Sequence, residues 1–229
     1  MVKHLLAGIA KADITPSDSV PMAGYMARTG WSLGVHDPLW VKCFVFHSGQ
    51  ECGALVVLDL LSICDYWVKK VKHEVGKAAA VPPERVVVVC THTHSGPSGF
   101  DTPLPNGPNR LVLQEMTEKM LMGIRSAAGR AAQTMSPVRI GVGAVTVNGV
   151  AGHRTHPERP VDQTLWTLVI WEPEGTLRGV IANFPVHSTV LGPENRLLSG
   201  DLLGTAAAFA EQQLSGNCLL YTSDAADEG

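Results

Sequence analysis

Charge is sparse in this chain. Asp, Glu, Lys and Arg make up 17% of its 229 residues and sum to a formal charge of −3, with a pI near 6.3. No run of lysines and arginines is long enough to track a phosphate backbone, which argues against a general nucleic-acid binder. Also missing is any CxxC pair. Cysteines stand at 43, 52, 64, 90 and 218, and any disulfide scheme leaves one of the five unpaired. Cys43 and Cys90 sit in apolar runs, where a free thiol behaves as a small hydrophobe. The four upstream thiols are therefore expected to be reduced, as in the cytoplasm. No apolar stretch approaches the roughly 20 residues that cross a bilayer. The N-terminal MVKHLLAGIAKADITP has a short apolar run, but Lys11 and Asp13 interrupt it too early for a secretory leader. Repeats and low-complexity tracts are absent as well. What is left, at 45% hydrophobic residues, is one domain or a piece of a larger one with a sizeable core.

Within it, one stretch carries the chemistry: Arg85–Phe100, RVVVVCTHTHSGPSGF. Val86 to Cys90 is an uninterrupted strand-favouring run, as expected of a strand buried on both faces. It stops at Thr91-His92-Thr93-His94 and then turns through Ser-Gly-Pro-Ser-Gly. In an extended backbone, alternate residues share a side, so His92 and His94 are expected together, with Thr91 and Thr93 opposite. Two imidazoles at the end of a buried strand could bind a metal, polarise a substrate, or divide those tasks. Cys90, in the valine run, is poorly placed to be a nucleophile.

The rest of the chain reads as an α/β protein. Leu5–Ile14 is a first strand, followed by a long Gly/Pro/Ser-rich loop, 16–37, that contains Met22-Ala-Gly24-Tyr25. Leu39–His47 and Cys52–Leu61 pair across Ser48-Gly49-Gln50 and end at a carboxylate, Asp59, expected to brace a loop. Asp65 is the predicted N-cap of a helix from about Tyr66 to Ala80, with Val68, Val71 and Val75 at helical spacing. Strand, helix and strand then form a βαβ unit with parallel neighbours. Ligands gather at the carboxyl ends of such strands, where Asp59, His92 and His94 all lie. A long helix follows from Asn109 to about Thr134, with Leu113, Met116, Met120 and Ile124 on one stripe. Next come a strand at 138–147, a polar segment holding His153, Arg154, His156 and Arg159, and a hairpin of 165–171 with 177–184. That hairpin runs into Val186-His187-Ser188-Thr189, a second histidine where a strand stops. Ser199-Gly200-Asp201 is predicted to cap a helix to about Leu214, with Asp201 as cap rather than catalyst.

The last residues, Cys218–Glu228, match the translation of a transposase adapter used in preparing sequencing libraries. The expected organisation is therefore 1–217 as a partial domain and 218–229 as a non-native tail. A fold incomplete at its C-terminus is expected with it.

On its motifs the chain resembles the N-terminal catalytic domain of the neutral/alkaline, non-lysosomal ceramidases. Those motifs are Ala7–Pro16, Met22-Ala-Gly-Tyr25, Thr91–Phe100, and Val186-His-Ser-Thr189 followed by Leu198-Ser-Gly-Asp201. The resemblance implies a layered sandwich with mixed β-sheets inside and helices outside. It also implies a Zn2+ ion held by two histidines, a glutamate and a tyrosine, and cleavage of the N-acyl amide of ceramide. Carried over by position, His92 and His187 are the metal ligands and His94 is the histidine that handles protons or the oxyanion. Arg154 matches the family's active-site arginine with a shifted spacing, and Arg159 competes for that role. Gly24 lines the substrate pocket. The glutamate and tyrosine lie beyond this sequence, so residues 1–217 alone are expected to bind metal weakly and turn over negligibly.

The implied reaction is hydrolysis by metal-activated water, with a histidine protonating the leaving amine. The substrate is a small lipid, acyl amide or ester; neither nucleic acid nor a membrane span is involved, and no oligomeric state follows. Two other readings remain at this level. An amidohydrolase barrel also begins with H-x-H, but the strand-rich 138–187 region opposes it. A non-catalytic lipid- or ligand-binding relative of the same fold is the second.

Overall fold

A computed structural model of the chain describes residues 5–101, 110–153, 155–214 and 218–222. In chain order its elements are β1 (Leu5–Asp13), β2 (Gly34–Val35), β3 (Trp40–Ser48), β4 (Glu51–Leu58), α1 (Asp65–Ala79), β5 (Val86–Cys90), α2 (Arg110–Gln133) and β6 (Ser136–Pro137). Then follow β7 (Arg139–Thr146), β8 (Thr164–Trp171), β9 (Leu177–Asn183), β10 (Leu197–Leu198), α3 (Asp201–Gln213) and β11 (Cys218–Thr222). The first sheet has the order β5-β4-β3-β1-β6, and the second β11-β9-β8-β7. A small parallel pair joins β2 to β10.

Side-chain alternation assigns the faces of the first sheet. Val41, Cys43 and Val45 of β3, with Val56 and Leu58 of β4, point to the helices. There they meet Trp67, Val71 and Val75 of α1 and Met116, Met120 and Ile124 of α2. The residues between them turn the other way. Ala7, Phe44 and Val57 pack on Val138 and on Ile170 of the second sheet. The layers thus run helices, sheet, sheet, and each side chain fully buried between them contributes about 1.5–3 kcal/mol. Helix α3 is fastened differently. Its Glu211 takes Lys11 of β1 and the buried Lys42 of β3, the latter at 3.3 Å. The mixed α/β sandwich expected from the sequence is therefore present.

Two local expectations need correction. β5 lies at the edge of its sheet, and Val87 is 56% exposed; its valines mark β-propensity rather than burial on both faces. Asp65 is the first residue of α1, and Cys64 occupies the cap without a side-chain hydrogen bond. Residues 218–222, inside the expected tail, pair in parallel with β9, from Cys218 opposite Gly179 to Thr222 opposite Asn183.

The βαβ unit is as expected. β4 and β5 are parallel neighbours, with Leu58 opposite Cys90, so Asp59 and Thr91 emerge side by side at their carboxyl ends.

Candidate metal centre

At that edge the backbone turns sharply. Thr91 N–H still donates to Leu58 O at 3.0 Å, and then His92 adopts φ +56°. This is the left-handed region, which non-glycine residues enter rarely and at a cost. The extended geometry that put His92 and His94 on one side does not apply here. The two rings meet all the same, with centroids 5.0 Å apart, because the kink at His92 swings its ring back over His94. The neighbouring threonines brace the turn. Thr91 Oγ1 donates to Asp59 at 3.1 Å, and Thr93 Oγ1 donates to Ser199 O at 2.7 Å.

His187 arrives from the second sheet, four residues past the end of β9. Its ring centroid stands 4.7 Å from that of His92 and 4.6 Å from that of His94. The loop that carries it is held by polar contacts. Asp201, at 3% exposure, accepts the amides of Val190 and Leu191, each at 3.1 Å, and that of Leu202 at 2.6 Å. Gly200, not Asp201, is the N-cap of α3, and Asp201 takes φ +53° so that its carboxylate serves the histidine loop as well as the helix. Asp37 accepts Gly200 N–H at 2.8 Å and the Ser199 hydroxyl. Nothing in the sequence marked Asp37 for this, since its partners are more than 160 positions away.

One nitrogen from each histidine lies within 4.8 Å of the others, and no other such group occurs among the described residues. The donor chemistry suits a metal ion. His92 Nδ1 is 2.9 Å from Leu61 O, and a carbonyl only accepts, so Nδ1 carries the proton and the Nε2 lone pair is free to point at the cluster. Nε2 of His94 is 3.4 Å from Nε2 of His92 and 2.7 Å from Nε2 of His187. Two nitrogens on one tetrahedral zinc stand about 3.3 Å apart. The longer separation is near that edge but joins His92 to His94; the nitrogens offered by His92 and His187 lie within 4.8 Å of one another. The shorter one is a hydrogen bond, in which one ring donates to the other's lone pair. A metal held by His187 takes up the same nitrogen, so metal and this hydrogen bond are alternatives, and loading the site releases or relocates a proton.

Nearby groups are shifted by burial. Desolvation raises the Asp59 carboxyl, with the charge of Lys42 opposing. The Cys90 thiol is pushed up to about 12, by burial first and by Asp59 second, so it is not a nucleophile at neutral pH.

The loop 16–37 supplies the remaining wall. Gly24, at φ +103°, lies so close to His94 that a Cβ would stand 2.7 Å from its Cα, Cβ and Cγ. Only glycine fits there. Tyr25 sets its ring 5.0 Å from that of His94 and donates its hydroxyl to Leu191 O at 3.0 Å. Arg28, which sequence reasoning passed over, donates to His94 O at 2.8 Å; its one signal was being the sole lysine or arginine in that loop. The structure thus brings His92, His94, His187 and Gly24 together. Arg154 lies outside the described residues. Arg159 is exposed, as is His156, whose ring instead faces that of the half-buried His153.

Comparison with known proteins gives a concordant result. The family described as neutral/alkaline non-lysosomal ceramidase, N-terminal, matches residues 5–224. Neutral ceramidase of Pseudomonas aeruginosa is 31% identical over 225 residues, covering 91% of this chain and 34% of the relative. That of Drosophila melanogaster is 26% identical, covering 92% and 32%. The crystal structure of the Pseudomonas aeruginosa enzyme superposes with a TM-score of 0.84 at 26% identity, over 96% of this chain and 38% of that one. A ceramidase solved in complex with C2 gives 0.80 at 27% identity, over 96% and 37%. The chain therefore spans about a third of the length of the relatives it matches.

Proposed function

The chain belongs to the neutral/alkaline non-lysosomal ceramidase family, and from that premise we propose that it contributes the histidines of a zinc-dependent hydrolase. The reaction is cleavage of the N-acyl amide of ceramide or of a related acyl amide or ester. One observation carries the reading: imidazoles from segments 93 residues apart bring their nitrogens to a common point.

In this reading His92 and His187 hold the ion, and His94 serves the substrate. Zinc, when bound, supplies a Lewis acid for the acyl carbonyl and lowers the pKa of water to about 7. The chain's own residues do the rest. His92 is held in the required tautomer by Leu61 O. His94, whose Nε2 is released from its hydrogen bond to His187 when that ring holds the ion, can take a proton and return it to the departing amine. Gly24, having no Cβ, lets the substrate-side loop close against His94, and Arg154 is assigned to the oxyanion on the strength of its position in the sequence.

The test is metal analysis and ceramide hydrolysis on the complete protein. We expect one zinc per chain, lost in His92→Ala and in His187→Ala, and kept in His94→Ala, which loses turnover by about 100-fold or more. Absence of stoichiometric zinc, or hydrolysis untouched by chelation, would overturn the reading. Lipid binding with no hydrolysis would favour the non-catalytic relative.

A further inference from the structure

We propose that Arg28 is a positioning residue for His94: its guanidinium locks the Ala23–Tyr25 loop to the His94 backbone and so fixes the His94 ring against the other two imidazoles. The functional half of this inference rests on the reading of His94 given above. The lock itself rests on geometry alone.

Arg28 Nη1 donates to two carbonyls at once, Ala23 O at 2.6 Å and His94 O at 2.8 Å. One nitrogen thereby ties a loop residue to the histidine. Its plane lies over the Tyr25 ring, 4.9 Å from the centroid, and the same ring leans on His94. Arg28 N–H closes the turn on Tyr25 O at 3.2 Å. Gly24 presses on His94 so closely that no Cβ fits. Gly24, Tyr25 and Arg28 therefore enclose His94, with the guanidinium as the clasp.

The charge is not there for an ion pair. Nε and Nη2 are buried without hydrogen-bond partners, and among the described residues Arg28 joins no salt bridge. Burying a cation this way is costly unless something compensates. Charge-assisted bonds to two carbonyls and an aromatic face are what it receives in return. Arginine suits the task because its guanidinium is flat, weakly hydrated and stacks on rings. Lysine would bring a compact, strongly hydrated point charge to the same place. Arg28 touches the His94 carbonyl and not its ring, so it acts through His94 and not on the reacting atoms.

The experiment compares Arg28→Met and Arg28→Lys with the unmodified protein. The first readout is the side-chain nitrogen–proton spectrum of the histidines, with His94→Ala used to assign His94. The His94 ring signals should shift or split in both variants, while zinc stoichiometry stays at the unmodified level. In the complete protein kcat should fall by about 100-fold, as misplacement by about 1 Å does, with KM little changed. If Arg28→Met does not fold, Arg28→Lys, which keeps the charge and the stem, decides. Either folded variant showing the unmodified His94 signals and kcat overturns the proposal. Failure of the functional reading looks different: His94→Ala would then retain full turnover, and the spectrum alone would judge the lock.

Discussion

In the first sheet Val41, Phe44, Val56 and Leu58 have no measurable exposure, whereas in the second Val142 is 72% and Trp166 51% exposed. Both sheets contribute to the same centre. His92 and His94 follow β5 of the first, and His187 follows β9 of the second. The strands that deliver them are each only partly covered: β5 is an edge strand with Val87 56% exposed, and Asn183 at the end of β9 is exposed. Packing therefore fixes the sheets, and other forces must place the loops that carry the rings. Here they are hydrogen bonds: Asp201 to the amides of Val190 and Leu191, Thr93 to Ser199 O, and Ser199 N–H to Ser95 O at 3.0 Å. The difference teaches that apolar packing holds the first sheet, while polar clamps on both sides position the centre. Packing and clamps should fail in different ways.

The widest contrast is in stability. Phe44→Ala, in the contact between the two sheets, should cost about 3–5 kcal/mol. Val142→Ala, on the exposed edge strand β7, should stay within about 0.5 kcal/mol. Urea unfolding followed by circular dichroism measures both. A loss of 2 kcal/mol or more at Val142 would break the comparison, because it would mean that this face is covered in solution.

Next in size is the clamp on His187. Asp201→Ala leaves three amides without their acceptor, at a cost of about 1–3 kcal/mol. Zinc affinity, measured against a competing chelator, should fall by about 10–100-fold, as when a group that orients a ligand is removed. His187 would be shown to be placed by β9 itself if affinity were unchanged while stability dropped.

Much of this architecture was legible beforehand, and the limits of that legibility are physical. The helical stripe Leu113, Met116, Met120, Ile124 and the βαβ unit follow from periodicity and connection length, which are local. The valine run of 86–90 was misleading because β-propensity is the same at a sheet's edge as at its centre. The three histidines were found for two reasons: His92 and His94 from a local motif, and His187 from a family resemblance. No periodicity predicts that a loop 93 residues downstream folds back onto His94. Asp37 and Arg28 went unrecognised for that reason, since each works through a partner distant in sequence. The kink at His92 was also invisible, because the cost of a left-handed residue is met by contacts made only in the folded chain.

The smallest effect expected is at Asp59, a polar clamp in the first sheet, which accepts Trp40 N–H at 2.8 Å and the Thr91 hydroxyl at 3.1 Å. Asparagine can keep the first bond, and Thr91 can rotate to accept from the new amide, so Asp59→Asn should change stability by about 1 kcal/mol or less. Its signature is in pH. Burial holds the Asp59 carboxyl above its ordinary value of 3.8, so between that value and the raised one the folded state binds more protons than the unfolded state. Stability from this group is then full below pH 3.8 and declines as pH rises through the folded pKa. Asp59→Asn lacks the titration, so it should gain on the unmodified protein as pH rises from 4 toward 8 in isothermal denaturation. A gap between the two that does not change with pH would mean that Asp59 carries no desolvation cost in the folded protein. Its hydrogen bonds to Trp40 and Thr91 would then fully offset its burial.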